Sequence, residues 1–464
     1  MSLTPDELGI VEHLFKKLQS HDAKNAELGR YYEGKNRLKD LRISIPPQLT
    51  AVESVVGWAG TAVDVLEERL DLEGYIGGDA FGLNEIFRAN ELDLESTMGH
   101  RDALTFGTGF VVVGKGQDGE PDPLITIESP TVMTAHYDMR TRRLSAALLA
   151  HRNEQGVPRY GTLYLPDVNI SLEYSNGTWF DVDRDEHRLG RVLVSSLPNN
   201  PRSSDPYGRS EITRAVRSYT DSAMRTLLGA EVAREFYSAP QRYILGAPED
   251  VFTDSDGNPM NPWTVYQGRY LGVPTNEDGQ VPQVGQFAAN STSPYFEQIR
   301  AYAQLLAAET AIPSSYLGFQ TDNPSSADAI RQMEARLVKR AERRQKQFGR
   351  TWTEVARLAL LVRDGSIPAE ASSIRPIWRD ASTPTRAAAA DEAVKLIAAG
   401  VLLGDSEVTY NRIGLSDSDK EVLKAEKKLA RATNLVGNLA AAATAATENN
   451  ATVADLASRR VASN

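Results

Sequence analysis

The 464-residue chain contains no cysteine. That absence excludes a disulfide framework, a Cys-ligated zinc, an iron–sulfur cluster and a thiol nucleophile. Histidine is scarce, limited to His13, His21, His100, His136, His151 and His187. No two of them stand at H-E-x-x-H spacing, and no serine sits in a G-x-S-x-G elbow, so the sequence offers no support for hydrolytic catalysis. No apolar run approaches the ~18 residues that a membrane-spanning helix needs. The first residues, MSLTPDELGIVEHLF, lack a basic stretch followed by an apolar one, so no secretory signal is expected. A cytoplasmic origin follows, and the N-x-S/T sites at Asn169, Asn176, Asn290 and Asn450 are expected to carry no glycan. Positive charge is also in deficit: the formal net charge is −11 and the isoelectric point about 5.3. A general nucleic-acid binder normally has a basic balance, so tight DNA binding is disfavoured, although a protein that encloses DNA without gripping it is not excluded.

What is present reads as a mixed, α+β chain too long for one core. Thr4-Pro5-Asp6-Glu7 spells a helix start with a capping box, and Leu8, Val11, Leu14 and Leu18 follow as one apolar stripe. Pro46 and Pro47 stop that region, and helices are expected over 50–70 and 83–105. Strands are expected over 110–115, 123–128, 143–152, 160–165, 168–182 and 191–196, in an antiparallel sheet with a hairpin turn at Asn176–Gly177. A helix from about Ser210 to Tyr237 carries the stripe Ile212, Val216, Tyr219, Ala223, Leu227 and Ala230. A strand-rich insert follows, and then a helix from Ser293 that ends before Pro313. Beyond Ser325, Ile330, Met333, Leu337, Ala341, Phe348, Trp352, Val355 and Ala359 mark one long helix, with a bend expected near Gly349. From Thr385 the chain is Ala-rich and helical, with a frayed tail expected at its end.

Two near-motifs fail on inspection. GFVVVGKG (109–116) approaches a phosphate loop, but Gly116 replaces the magnesium-binding hydroxyl and FVVV is strand-forming. DVDRDEH (181–187) alternates carboxylates but places Glu186 where a calcium loop of the EF-hand type needs glycine, and DSDG (254–257) has Phe252 in place of its first ligand. Alternating carboxylates of this kind mark the solvated face of a strand. No metal and no cofactor is therefore expected. The polar face of the long helix is basic, with Arg331, Arg336, Lys339, Arg340, Arg343, Arg344 and Lys346. Such a face can be simply solvated, can contact phosphate, or can pair with acidic residues of another subunit. The acidic balance of the whole chain favours the last, with EERLDLE (67–73) as one acidic complement.

The segment LGFQTDNPSSADAIRQMEARLVKRAERRQKQFGRTW (317–352) resembles the corresponding segment of portal proteins from long-tailed, double-stranded DNA phages of actinobacteria. DPYGRSEIT (205–213), APQRYILGA (239–247), YYEGKNRLKDLRISIPP (31–47) and VVGWAGTAVDVLEERL (55–70) extend the resemblance over most of residues 30–360. It implies a non-enzymatic ring of about twelve copies at one vertex of the virion head, a channel through which DNA enters at packaging and leaves at ejection. It implies a portal fold: an α/β wing over 1–208, stem helices over 209–238 and 293–311 and a strand-rich clip over 239–292. A tunnel loop over 312–326, a long wing helix with its following segment over 327–384 and a helical crown over 385–464 complete it. Gly318, Gln320, Thr321, Asp322 and Asn323 then become channel-facing candidates, and Arg331, Arg336, Lys339, Arg340, Arg343 and Arg344 candidates for the contact between subunits. The implied partners are further copies of the chain, DNA without sequence preference, terminase, a head-completion adaptor, and the major capsid and scaffold proteins. No membrane is involved, and assembly is expected in the host cytoplasm. Two other readings remain open from the residues alone. A packaging enzyme would need an intact phosphate loop and would hydrolyse ATP. Another head structural or adaptor protein would not need a strand-rich insert between two helices.

Overall fold

The computed structural model describes residues 3–38, 54–237, 242–246, 258, 275, 279–286, 291–319, 327–382, 386–416 and 418–433. The chain divides into two compact units, Met1–Ala381 and Ser382–Asn464.

The first unit opens with helix α1 (Pro5–Tyr32). The Glu7 amide donates to Thr4 Oγ1, and the Thr4 amide donates to a Glu7 carboxylate oxygen at 2.8 Å, so both halves of the expected capping box form. Val11, Leu14 and Leu18 turn inward onto a five-stranded antiparallel sheet, in the order β4 (Met133–Asp138), β5 (Arg143–Arg152), β6 (Pro158–Tyr164), β7 (Asn169–Ser175), β8 (Thr178–Asp185). The β7–β8 hairpin closes at Asn176–Gly177, whose φ values of 51° and 85° give the left-handed pair that a two-residue turn requires. β5 explains its unbroken apolar run Ala146–Ala150. Alternate residues point to opposite faces, so Ala146, Leu148 and Ala150 meet α1 while Ala147 and Leu149 meet a second core with Phe110, Val112 and Met133.

That second core is shared with a three-stranded sheet in the order β3 (Leu124–Glu128), β2 (Phe110–Gly114), β9 (Val194–Ser196). β2 is covered on both sides as well. Val111 and Val113 face the main core, and this burial is the physical reason that the phosphate-loop look-alike cannot offer its backbone to an anion.

The main core gathers α2 (Trp58–Glu67), α3 (Leu83–Ala89), α4 (Leu92–Phe106), α5 (Arg214–Tyr237), α6 (Ser293–Thr310) and α7 (Ala327–Asp364). The single helix expected over 83–105 is two, broken at Asn90–Glu91. Buried Asn90 is used sideways: its amide donates to Pro123 O at 3.0 Å and its oxygen accepts from the Ile125 amide at 2.8 Å, tying α4 to β3. Glu91 takes a left-handed backbone, φ 47°. A pair of strands that period counting does not reveal, β1 (Leu72–Ile76) and β12 (Arg375–Trp378), joins distant parts of the unit. α5 and α6 pack side by side, and β10 (Arg242–Leu245) and β11 (Gln283–Gln286) pair antiparallel at the base of the insert between them. Most of the expected clip lies outside the described residues.

α7 is one uninterrupted helix of 38 residues that runs through Gly349. The glycine has a packing role there. A Cβ there would stand 3.2 Å from Pro376 Cγ and 3.3 Å from Trp378 Nε1, so its absence lets β12 lie against the helix. Leu337, Ala341, Phe348, Trp352, Val355 and Ala359 form the buried stripe as expected. Full burial contributes about 2 kcal/mol for each large apolar side chain.

Two polar groups sit inside this core. His100 is fully buried, stacked on Phe348 with ring centroids 5.1 Å apart, and its Nε2 accepts from Trp352 Nε1–H at 2.9 Å. Burial pushes its pKa down to about 3, against a backbone hydrogen bond at Leu70 that works the other way. Glu211, just before α5, accepts from Arg344 Nη2 at 2.6 Å, from Arg340 Nη2 at 2.5 Å and from Asn199 Nδ2 at 3.1 Å. Arg344 is itself buried. Burial alone would raise the Glu211 pKa, but the two guanidiniums and the hydrogen bonds outweigh it and hold the carboxyl below its ordinary value.

The second unit contains α8 (Arg386–Ala398), α9 (Glu407–Ile413) and a helical stretch over 418–433. Ser406 caps α9 through the Thr409 amide, Arg412 pairs with Glu392 at 2.6 Å, and the Lys427 ammonium lies 5.2 Å over the Tyr410 ring. Helices dominate, as expected for this region, and the expected frayed tail lies outside the described residues.

The two buried groups predict opposite ends of the acid limb. His100 binds a proton more readily unfolded, near 6.5, than folded, so its share of stability is complete above that value and is lost as the pH falls toward 3. Thermal unfolding across this range should show a steeper acid decline for the natural chain than for His100→Gln, which keeps an acceptor for Trp352 but does not titrate; equal slopes would contradict the assignment. For Glu211, whose folded pKa is lowered, stabilisation is complete above the ordinary 4.5 and drains away as the pH falls through the folded value. Glu211→Gln leaves two guanidiniums without a counter-charge and should cost about 3 kcal/mol at neutral pH in denaturant unfolding, with the loss shrinking in acid.

Candidate functional site

The segment from Ile312 to Phe319 leaves α6 through Ala311, whose φ of 58° turns the chain. Pro313 leads a short helical turn over Ser314–Leu317, and Gly318 closes it in a left-handed conformation, φ 87°. Ile312 and Leu317 are buried and anchor the segment. Tyr316 adds a polar anchor: its hydroxyl donates to the Glu334 carboxylate on α7 and accepts from Arg69 Nη2 at 3.4 Å, while Arg69 reaches Glu334 at 3.6 Å. Burial first, and then the carboxylate, raise the Tyr316 pKa, so the hydroxyl stays protonated as the donor. Arg69 Nη1 also donates to Ala381 O at 2.7 Å. The base of the loop is thereby fastened to α7 and to the end of α2. Gly318 lies at the last anchored turn. Gln320, Thr321, Asp322 and Asn323 lie outside the described residues.

The basic positions of α7 sort into two stripes. Arg336, Arg340 and Arg344 recur at i, i+4, i+8 beside the core stripe and are used inside the chain. Arg336 donates to Ala308 O at 3.0 Å, and Arg340 and Arg344 hold Glu211. Lys339, Arg343, Lys346, Arg350 and Arg357 follow one another at intervals of 4, 3, 4 and 7 residues along the next strip of the helix. They are exposed or half-buried, and none makes an ion pair among the described residues. Arg331 stands in the first turns of α7, its side chain outside the described set. The expected acidic complement EERLDLE is largely engaged at home. Glu67 is buried and takes Arg101 at 3.1 Å, while Asp71 and Glu73 both take Arg379, at 2.8 and 3.1 Å. Burial raises the Glu67 pKa against the pull of Arg101.

The lower half of the outer stripe lines a cleft of about 1310 Å³. Lys346, Arg350 and Arg357 form one wall, and Arg142, Arg143 and Arg202 approach from the β4–β5 turn and the loop after β9. Arg191 is also there but is paired with Glu354. Pro198, Pro201 and Pro206 give the cleft an apolar side, and β9 forms part of its floor. These residues were not singled out by sequence reasoning beyond Lys346. The 4-3-4-7 spacing is a signal that could have separated the outer stripe from the inner one. Arg142, Arg143 and Arg202 give no such signal, because only the fold gathers them. Among the described residues, no group of His, Asp and Glu is arranged to hold a metal ion. DVDRDEH is a strand: Asp181 faces inward and takes Arg184 at 3.2 Å, and Asp183 and Asp185 are solvated.

The family model described as phage portal protein, SPP1 Gp6-like, matches residues 13–434. Proteins named "Portal protein" from Mycobacterium phages D29 and L5 are each 34% identical over 425 residues, covering 88% of this chain and 86% of theirs. Among solved structures, a chain from the neck of a native gene transfer agent particle, computed with C12 symmetry, aligns with a TM-score of 0.43 at 15% identity, covering 78% of this chain and 91% of that one. A chain from the virion of the native gene transfer agent particle aligns with a TM-score of 0.42 at 14% identity, covering 84% and 93%. With the match extending over nine-tenths of its length, the chain belongs to the SPP1 Gp6-like family of phage portal proteins.

Proposed function

We propose that the chain is the repeating subunit of a head-to-tail connector, a ring at one capsid vertex through whose channel double-stranded DNA enters during packaging and leaves at ejection. The observation that carries this reading is the portal-family match over residues 13–434. The work of such a subunit is structural. It assembles, holds a channel open and docks other machines in turn, with no catalytic group required.

Several features of the chain support that reading part by part. Residues 1–208 and the long helix with its following segment, 327–384, form the wing. The side-by-side pair α5 and α6 forms the stem, and residues 239–292 between them the clip. The helical unit from residue 385 forms the crown. The ring is built of about twelve copies. The clip docks terminase during packaging and a head-completion adaptor afterwards, while the wing meets the major capsid and scaffold proteins during assembly in the host cytoplasm.

The loop over 312–326 is the part that faces DNA. Its near end is fastened by Ile312, Leu317 and the Tyr316–Glu334–Arg69 network, and its far end runs directly into α7. Between them Gln320, Thr321 and Asn323 are neutral, and Asp322 adds a negative charge that phosphate would repel. A channel wall of this character lets DNA slide, whereas each cation set against a phosphate would tighten the grip by counterion release.

Electron microscopy of the purified chain, with symmetry analysis of end-on views, should show rings around an open channel; a compact oligomer without a channel would refute the connector. Replacing Gln320, Thr321 and Asp322 together with glycine should leave rings intact and reduce DNA-filled heads to a small fraction. Normal filling would remove the loop from the channel.

A further inference from the structure

The basic cleft is unusual in so acidic a chain. Seven cations, Arg142, Arg143, Arg202, Lys346, Arg350, Arg357 and Arg375, line it without an ion-pair partner among the described residues, against one unpaired carboxylate, Glu342. An acidic corner lies elsewhere on the same unit. Glu91, Asp93 and Glu95 stand at the start of α4, and Asp118, Glu120 and Asp122 stand in the turn between β2 and β3. The Asn90 side chain brings the two groups together by bonding both Pro123 O and the Ile125 amide. Again no ion pair engages any of these carboxylates among the described residues. Leu94, 62% exposed, and Met98, 46% exposed, project from the same helix.

The placement of the two patches decides what they can do. The three-stranded sheet runs β3-β2-β9. The cleft is built against β9, one edge, and the acidic corner is tied to β3, the other edge. Complementary surfaces at opposite edges of one sheet cannot satisfy each other within a chain. A two-fold contact with a second copy would need both patches in one face, since each positive patch would meet the other copy's negative one at the same time, and opposite edges do not provide that. They can pair head to tail, and a repeated head-to-tail contact closes into a ring when its rotation allows. We infer that the acidic start of α4 of one copy, with Leu94 at its tip, seats in the basic cleft beside α7 of the next. Leu94 and Met98 match the proline side of the cleft, and the carboxylates match its arginines. Opposite charge then fixes register and suppresses wrong docking.

This inference rests on the ring reading, and the test separates the two. The full-length chain would be compared with Lys346→Glu/Arg350→Glu, with Glu91→Lys/Asp93→Lys, and with all four substitutions combined. All four positions are solvent-exposed, so circular dichroism should be unchanged. Ring formation would be followed by sedimentation and negative-stain microscopy across protein and salt concentration. Each two-site variant should need at least about tenfold more protein to form rings, and the four-site chain, with its charges exchanged, should recover most of the loss. Unaltered assembly of both two-site variants would overturn the proposed contact while leaving the ring standing. So would a cleft variant that the exchange fails to rescue. If the cleft variant assembles normally but loses retention of a short DNA duplex, the cleft is a nucleic-acid site and the proposal falls. Absence of rings from the unaltered chain would remove the connector reading itself, and this contact with it.

Discussion

One buried carboxylate sets the orientation of the element on which most of this molecule depends. Glu211 accepts from Arg340 and Arg344 at the point where the chain enters α5. Its backbone amide is bonded to Leu104 O, and the neighbouring Asn199 amide both supports the carboxylate and reaches Arg209 O. Desolvating three charges costs several kcal/mol per ion, and only close geometry with every lone pair occupied recovers it. The return is specificity. Arg340 and Arg344 must turn inward, while Phe348 and Trp352 must enter the core, and together they fix the rotation of α7 about its own axis. Every other side chain on the helix takes its direction from that choice. Lys339, Arg343, Lys346 and Arg350 are outward because Arg340 and Arg344 are inward.

The same rotation links the parts that a connector needs. It sets Glu334 under Tyr316, which fastens the start of the 312–326 loop. It places Gly349 under β12, so that β1 and β12 can close the unit across some three hundred residues of sequence. It turns the outer stripe toward β9 to form the basic cleft. The sheets beneath are rigid for a separate reason: β5 and β2 are covered on both faces, so neither can slip register without moving apolar residues of two cores at once.

What the sequence reveals and what it hides divide along range. Local chemistry was readable: the capping box at Thr4 and Glu7, the Asn176–Gly177 turn, the apolar stripe of α7, and the uninterrupted apolar runs of β2 and β5. Each is decided by neighbours within a turn or a hairpin. The break at Asn90 was not, because the helix is ended there by hydrogen bonds to β3, more than thirty residues on. Nor was the pairing of β1 with β12, two short strands with little alternation of their own. The basic face of α7 was visible as charge but not as two surfaces, since Glu211, the residue that claims half of it, lies over a hundred residues upstream. The intrachain ion pairs of the acidic run at 67–73 were hidden for the same reason: Arg101 and Arg379 reach its carboxylates from outside the local window. At the loop itself, the family resemblance rather than any spacing rule singled out Gln320 to Asn323.

The length of α7 has a mechanical meaning. Thirty-eight residues at a rise of about 1.5 Å make a rod of roughly 57 Å. A continuous hydrogen-bond ladder bends little over that span, and no proline or bulge interrupts it. The rod is held along its whole second half, where Phe348, Trp352, Val355, Ala359 and Leu361 are buried. It is therefore a beam built in at one end. A push at the Ala327 end, where the loop begins, is carried along the helix into the core, and the stretch that bears Arg350 and Arg357 does not swing in reply.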